Sequence, residues 1–166
     1  MVSNTKYKTI NMQRRAGVLL HPTSLPGNVD NGDMGHEAYR FIEYLQTMGF
    51  KVWQMLPLGP THDDKSPYQC LSSHAGNPVL ISLDWLVDKG WLQKDKVRIN
   101  KDLSEHRSAC LNEAAKSFYD SNDDNWMQLH TEFIQKHSYW LEDYALFIAL
   151  KKQFQDKPCL LYTSPS

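Results

Sequence analysis

Hydrophobic runs alternate with polar loops in the first half of the chain. Residues 18–20 form a short apolar run that Pro22 closes, which predicts a buried strand. After a loop rich in Gly, Pro, Asn and Asp, apolar residues recur every three or four positions from Ala38 to Met48. This spacing predicts a helix that ends at Gly49. The stretch FKVWQMLPLG then predicts a second strand.

The order strand, loop, helix, strand is that of a βαβ unit, so the two strands should be parallel neighbours. Each strand is followed by a loop rich in glycine and proline, and these loops should lie at the carboxyl edge of the sheet. That edge is where α/β proteins bind their ligands. Because two parallel strands do not make a stable covered sheet, either later helices cover them or the chain is the opening portion of something larger.

The second half of the chain has a helical pattern and no further clear strand. Residues 84–89 predict a short helix ended by Gly90, and residues 104–155 are largely helical in pattern. Two apolar stripes follow helical spacing there: Leu111, Ala114, Ala115 and Phe118 in the first, and Trp126, Leu129, Phe133, Trp140, Leu141, Tyr144, Ala145 and Ile148 in the second.

Composition restricts the class of protein. The chain has 166 residues, 41% hydrophobic and 22% charged, with a formal net charge of -1. It therefore has no basic field for nucleic acid or an anionic membrane. It has no long uncharged apolar stretch for a transmembrane helix and no apolar segment typical of a secretory signal. Its three cysteines fit neither a disulfide framework nor a zinc site, so a cytoplasmic protein is expected.

Local motifs of common catalytic sites are absent. The loop GNVDNGDMG has Asp33 where a phosphate-binding loop needs Lys, and it lacks the GxGxxG pattern. The histidines show no HExxH spacing and the serines no GxSxG motif, which disfavours a metal site and a hydrolytic triad. The loop carboxylates are interpreted as solvated side chains: Asp30, Asp33, Asp63, Asp64 and Asp84.

Five segments carry a family resemblance: GVLLHPTSLPG, GDMG, WQMLPLGPT, SPYQ and AGNP occur in this order and at close spacing. Together they resemble the N-terminal part of the amylomaltases, the 4-alpha-glucanotransferases or disproportionating enzymes. The resemblance runs from about Arg15 to Leu92 and continues more weakly to WLEDYALFIALKKQF. It implies an α/β fold that forms the first strands of an incomplete (β/α)8 TIM barrel with an inserted or following helical subdomain.

The resemblance also implies domain boundaries and an activity. We expect a lead-in over residues 1–15, the first βαβ portion of the barrel over 16–92 and the helical subdomain over 93–158. The family transfers alpha-1,4-glucan segments between maltooligosaccharides with retention of configuration, without a metal or organic cofactor. Its nucleophilic Asp, acid/base Glu and second Asp should lie beyond the end of this chain, so the chain alone should be inactive.

Site residues follow from the same motifs. Tyr68 matches the tyrosine that stacks on the sugar next to the scissile bond, and Ser66 matches a neighbouring polar contact. Asp33, Trp53 and Asn77 lie in matching motifs and are expected to line or brace the cleft, with a core position for Trp53 as the alternative. The family commonly has an aromatic residue and a further glycine where this chain reads GNVDNGDMG, so the acceptor side is expected to differ.

Some alternatives stay open. The segment CLLYTSPS over residues 159–166 is the translation expected of a transposase-type sequencing adapter read in frame, and a natural divergent tail is the alternative. A different function is a stand-alone glucan-binding module that holds sugar through Tyr68 without catalysis. A third possibility is that the chain does not fold stably by itself. The oligomeric state is left open.

Overall fold

Two short parallel strands open the structure. This computed structural model describes residues 14–27, 31–98 and 103–154. Strand β1 spans Gly17–Leu19 and strand β2 spans Val52–Gln54, with Gly17 opposite Val52 and Leu19 opposite Gln54. Helix α1, His36–Thr47, connects them. The predicted βαβ order and the parallel pairing are both confirmed.

Glycines end the first two helices, as predicted. Gly49 follows α1 with φ +80°, and Gly90 follows helix α2, Leu83–Asp88, with φ +75°. In this left-handed region glycine meets no steric penalty. The chain then folds back, and Phe50 N–H donates to the Leu45 carbonyl at 2.9 Å. Bonds of this kind satisfy carbonyls that the last helical turn leaves open.

Two long helices follow, as the helical pattern of residues 104–155 predicted. Helix α3 spans Leu103–Asp120 and helix α4 spans Asp124–Gln153. The helical conformation is interrupted between them at Asn122, which has φ 47°. Asp123 then begins α4, since its carboxylate accepts hydrogen bonds from the N–H groups of Asn125 and Trp126 at 3.1 Å. Short 3-10 helices occupy Pro22–Ser24, Pro78–Leu80 and Lys94–Arg98.

A buried apolar cluster joins α2, the 3-10 turn after it and α3. We call it the α2–α3 cluster; its buried members are Leu83, Leu86, Leu92, Val97, Cys110 and Ala114. Trp91 and Leu111 pack against its edge. Because its members lie on both sides of residue 92, this cluster ties the expected barrel portion to the expected helical subdomain. The boundaries of those units stay a prediction.

The prediction that the strands are buried was wrong for the structure described. Leu19 in β1 is 58% exposed and Val52 in β2 is 41% exposed, while Val18 and Trp53 are half-buried. Apolar runs of this kind are typical of parallel strands covered on both faces. Within the described ranges no further layer covers both faces of β1 and β2. The apolar pattern of the strands therefore predicts more burial than the described residues provide.

Helix α4 shows the same discrepancy between pattern and burial. Among its described residues none is buried, although the stripe that includes Leu129 and Phe133 has helical spacing. No helix in the described ranges is long and apolar enough to span a bilayer. Most of the lead-in, residues 1–13, and the whole segment 159–166 lie outside the described residues, so the expectations for them stay predictions.

Candidate functional site

The loops that follow β2 enclose an open groove at the carboxyl edge of the sheet. We call it the Tyr68 groove; its volume is about 670 Å³, and residues 57–59, 67–68, 70 and 72–76 line it. A volume of this size suits a ligand of several rings. No carboxylate lies among the lining residues. The lining residues therefore include no acidic pair of the kind that cleaves a glycosidic bond.

Backbone hydrogen bonds hold the loop that carries Tyr68. Thr61 and Cys70 form an antiparallel bridge at the base of the loop. Leu71 N–H donates to the Pro60 carbonyl at 2.7 Å, and Asn77 N–H donates to the Leu58 carbonyl at 2.8 Å. These bonds fix both ends of the loop against the segment after β2.

Gly59 is required at the floor of this loop. A Cβ atom at residue 59 would lie 2.9 Å from both the Cys70 sulfur and the Ser72 carbonyl oxygen. Any side chain would therefore push the two segments apart. The glycine of the LPLGP segment thus allows the close approach that shapes the groove.

Tyr68 is 74% exposed at the edge of the groove. Pro67 precedes it and restricts its backbone, and the Cys70 thiol donates to the Pro67 carbonyl at 3.2 Å. The ring does not pack against the interior, which is the condition that a sugar-stacking platform must meet. Contact with a sugar stays a prediction.

Ser66 forms the turn below Tyr68 and does not line the groove. Its N–H donates to the Asp64 carboxylate at 3.1 Å, and its carbonyl accepts from Gln69 N–H at 3.3 Å. Asn77 also has a bracing role. Its side-chain oxygen accepts from Val79 N–H at 3.0 Å and begins the 3-10 helix that leaves the groove.

Trp53 braces the sheet edge. Its indole N–H donates to the Leu20 carbonyl at 2.8 Å, and its ring meets Phe41 of α1 edge to face at 5.0 Å. The residue therefore joins the ends of both strands and the helix between them. This geometry fits the bracing interpretation, and Trp53 is not among the residues lining the Tyr68 groove.

Asp33 lies in a different pocket. That pocket has a volume of about 250 Å³ and is lined by Gly27, Asp33, His36, Glu37 and Asp84, among others. The Asp33 carboxylate accepts from Gly35 N–H at 2.8 Å. Burial raises the pKa of Asp33, although the Gly35 hydrogen bond and the Arg107 charge act in the opposite direction. Asp33 and Tyr68 therefore line two different pockets.

Arg107 is a site-supporting residue that sequence reasoning missed. It is 5% exposed, donates from Nη1 to the Ile81 carbonyl at 2.7 Å, and has Nη2 4.0 Å from the Asp33 carboxylate. It thereby holds α3 against the segment before α2 and against the loop after β1. The signal was present, since Arg107 lies three, four and seven residues before Cys110, Leu111 and Ala114 on the apolar stripe of α3.

No metal centre can be assigned in residues 14–27, 31–98 and 103–154. There, no three His, Cys, Asp or Glu side chains are arranged to hold an ion. Several of the described histidines instead contact other side chains. His36, for example, has Nε2 3.3 Å from the Asp88 carboxylate, and His21 has Nδ1 2.7 Å from the Thr23 hydroxyl.

The fold is that of an α/β protein with a small parallel sheet and a groove formed by the loops after its second strand. The family model described as 4-alpha-glucanotransferase matches residues 20–165. The chain belongs to the 4-alpha-glucanotransferase family. The resemblance to amylomaltases expected from the five sequence segments is confirmed.

Curated relatives and a solved structure agree with this assignment. The chain is 41% identical over 150 residues to the 4-alpha-glucanotransferase of Synechocystis sp., covering 84% of this chain and 30% of that protein. It is 43% identical over 148 residues to the chloroplastic/amyloplastic 4-alpha-glucanotransferase of Arabidopsis thaliana, covering 83% and 26%. The structure of amylomaltase from Streptococcus agalactiae in complex with acarbose matches with a TM-score of 0.78 and 36% identity, covering 87% and 31%. The chain therefore spans about 30% of the length of the curated relatives it matches.

Proposed function

We propose that this chain is the N-terminal part of a 4-alpha-glucanotransferase that moves alpha-1,4-glucan segments between maltooligosaccharides. The family match over residues 20–165 carries this proposal. In the retaining reaction, a carboxylate attacks the anomeric carbon while an acid protonates the leaving oxygen. The 4-hydroxyl of the acceptor sugar then displaces the carboxylate and gives up its proton to the same acid/base group.

The role proposed for this chain is substrate binding. Tyr68 offers an aromatic face for the C–H face of a glucose unit, and its exposure on a hydrogen-bonded loop supports this role. Ser66 supports the turn below Tyr68, while Asn77 and Trp53 brace the loop and the strand ends. Asp33 is proposed to shape the neighbouring pocket rather than to contact the sugar stacked on Tyr68.

The catalytic carboxylates are proposed to lie beyond residue 166, in later strands of a (β/α)8 barrel of which β1 and β2 are the first two. The absence of carboxylates from the residues lining the Tyr68 groove supports this division of labour. On this proposal the 166-residue chain binds glucan but does not transfer it, and it needs no metal or organic cofactor. A cytoplasmic location is proposed because Cys70 and Cys110 are free thiols.

The test is expression of the complete reading frame and incubation with maltotriose. Glucose and longer oligosaccharides should appear together, because each transfer shortens one chain and lengthens another. Tyr68→Ala should lower the rate at low substrate by about tenfold or more through loss of stacking and apolar contact. Tyr39→Ala is the matched control, because Tyr39 is 66% exposed on α1 and lies outside the groove.

Two results would contradict the proposal. One is hydrolysis of maltotriose to maltose and glucose without any longer product. The other is transfer activity in the 166-residue chain alone, since this would mean that its own carboxylates catalyse the reaction.

A second candidate is a stand-alone glucan-binding module. The hydrogen-bonded, ligand-ready loop under Tyr68 favours it, because this loop needs no residue outside the chain to keep its shape. Titration of the 166-residue chain with maltoheptaose, followed by Trp fluorescence, measures the binding that both candidates expect, and transfer activity of the complete protein separates them. Saturable binding that Tyr68→Ala abolishes, with no transfer activity in the complete protein, would favour the module.

A further inference from the structure

The loop that forms one side of the Tyr68 groove ends in a ring contact with α4. His74 lines the groove, and its imidazole lies 5.6 Å from the Trp140 ring in a stacked arrangement. It also lies 5.6 Å from the Tyr139 ring, edge to face. Two adjacent residues of the long helix therefore hold one side chain of the binding loop.

The backbone on either side of His74 is also held in place. The Ser72 hydroxyl oxygen accepts hydrogen bonds from the N–H groups of His74 and Ala75, both at 3.1 Å. The loop is thus fixed locally by Ser72 and at a distance by α4. The contact with α4 fixes the ring and hence the direction of the side chain that lines the groove.

The helical side of this contact is itself ordered by further contacts. The Trp140 indole N–H donates to His137 Nδ1 at 3.3 Å, and its ring lies 6.1 Å from Tyr144. Trp140 is half-buried although no residue of α4 is fully buried. Its position is therefore set along the helix by neighbours three and four residues away.

We propose that His74 is a positioning residue of the glucan site, and that α4 fixes the side of the Tyr68 groove through the His74 ring. This inference rests on the proposed glucan-binding function. It assigns a role to the helical segment, none of whose described residues lines the Tyr68 groove. The Tyr139–Trp140 pair acts through His74, and Tyr68 remains the residue that touches the sugar.

Glucan affinity in the complete protein, measured by direct titration with maltoheptaose, tests the proposal without requiring turnover. His74→Ala should weaken binding about two- to tenfold, the range expected when aromatic contacts that preorganise a site are lost. His74→Phe keeps a ring of similar shape against Tyr139 and Trp140 and should restore affinity to within about twofold. KM should rise while kcat stays nearly constant, because the role proposed for His74 is in binding and not in a step of the reaction.

His130→Ala provides a matched control. His130 lies on α4 and contacts two rings, Phe118 at 5.5 Å and Tyr119 at 5.6 Å, but it does not line the groove. The His130→Ala substitution should lower the melting temperature by an amount similar to that of His74→Ala, and it should leave glucan affinity unchanged. A merely structural role for His74 predicts the same behaviour for both variants.

Trp140→Leu covers the case in which His74→Ala does not fold. It leaves His74 in place, removes the stacked ring and should weaken binding in the same range. Trp140→Phe should keep the affinity. It should remove the part of the glucan-induced fluorescence change that comes from Trp140. This spectroscopic signature follows from the stacking of Trp140 on a residue of the groove.

Several outcomes would overturn the inference. Wild-type affinity in both His74→Ala and Trp140→Leu would show that α4 does not position the groove. A His74→Phe variant as weak as His74→Ala would show that the ring nitrogens, and not the ring contact, matter. Failure of the proposed function looks different, since it is absence of transfer products from wild-type protein, whatever the ratio of affinities among the variants.

Discussion

The α2–α3 cluster and the two-stranded sheet are stabilised in different ways. In the cluster, leucines from α2 meet Val97, Cys110 and Ala114, and all are buried. In the sheet, Leu19 and Val52 remain largely exposed, and order comes from backbone pairing and from the Trp53 side chain. Apolar packing therefore holds the α2–α3 cluster, whereas backbone hydrogen bonds and the Trp53 side chain hold the strands that precede the loops of the Tyr68 groove.

The largest expected effect is from truncating a leucine of the α2–α3 cluster. Leu83→Ala should lower the free energy of unfolding by about 2–5 kcal/mol, because Leu83 is 2% exposed and truncation of its side chain leaves a cavity. Leu19→Ala should cost less than about 1 kcal/mol in the 166-residue chain, since most of that side chain is already in water. Urea unfolding of both variants measures the difference. Equal losses would abolish the contrast between the two regions.

Arg107→Met should have the next largest effect. It removes the donor to the Ile81 carbonyl and the positive charge near Asp33, and should destabilise the fold by about 1–3 kcal/mol. Arg40→Met is the control, because the Arg40–Glu37 ion pair at 2.8 Å lies on the exposed face of α1 and should contribute only about 0–0.5 kcal/mol. Chemical denaturation at low and high salt distinguishes them. An Arg107 loss as small as that of Arg40 would mean that the buried contact does not join the two regions.

Gly49→Ala should cost about 1 kcal/mol. The space around residue 49 is open, but its φ of +80° is unfavourable for a residue with a Cβ atom. Gly76→Ala is the matched control, since it also has open space but no positive φ, and it should be neutral or slightly stabilising. Thermal unfolding monitored by circular dichroism measures both. A neutral Gly49→Ala would show that the end of α1 relaxes without cost.

The smallest expected effect concerns the pH dependence of stability. Because burial raises the pKa of Asp33 above 3.8, the folded chain holds this proton more tightly than the unfolded chain. Stability should therefore fall as pH rises from 3.8 through the raised pKa, and the loss should be complete above it. Asp33→Asn, which keeps an acceptor for Gly35 N–H, should flatten this part of the profile. Unfolding free energies at a series of pH values check it, and a steeper profile in Asp33→Asn would contradict the sign.

Much of the fold could be predicted from the sequence because its signals are local. Gly49 and Gly90 ended helices where predicted, and the parallel pairing of β1 and β2 followed from their order along the chain. Burial could not be predicted in this way. The apolar residues of β1, β2 and α4 show which faces suit a packed environment, but the pattern does not say which residues supply it.

The candidate site was predicted less completely, and the reason is again physical. The five segments located Tyr68, but motif membership did not separate a residue that faces the groove from one that braces it. Trp53 and Asn77 use their polar groups on backbone atoms, and Asp33 lies in another pocket. Arg107 and His74 contact residues far away in sequence, Asp33 and Trp140 respectively, and such pairs are set by tertiary structure alone.

The backbone hydrogen bonds of Leu20 show how the Trp53 side chain ends strand β1. Its N–H donates to the Gln54 carbonyl at 3.1 Å, as the next rung of the parallel ladder, while its carbonyl accepts from the Trp53 indole. The chain can then turn away at His21 without leaving a polar backbone group unsatisfied. Inserting or deleting one residue in β1 would move another carbonyl into this place and reverse the faces of the strand. The register of the first strand and the indole at position 53 should therefore change together or not at all over evolutionary time.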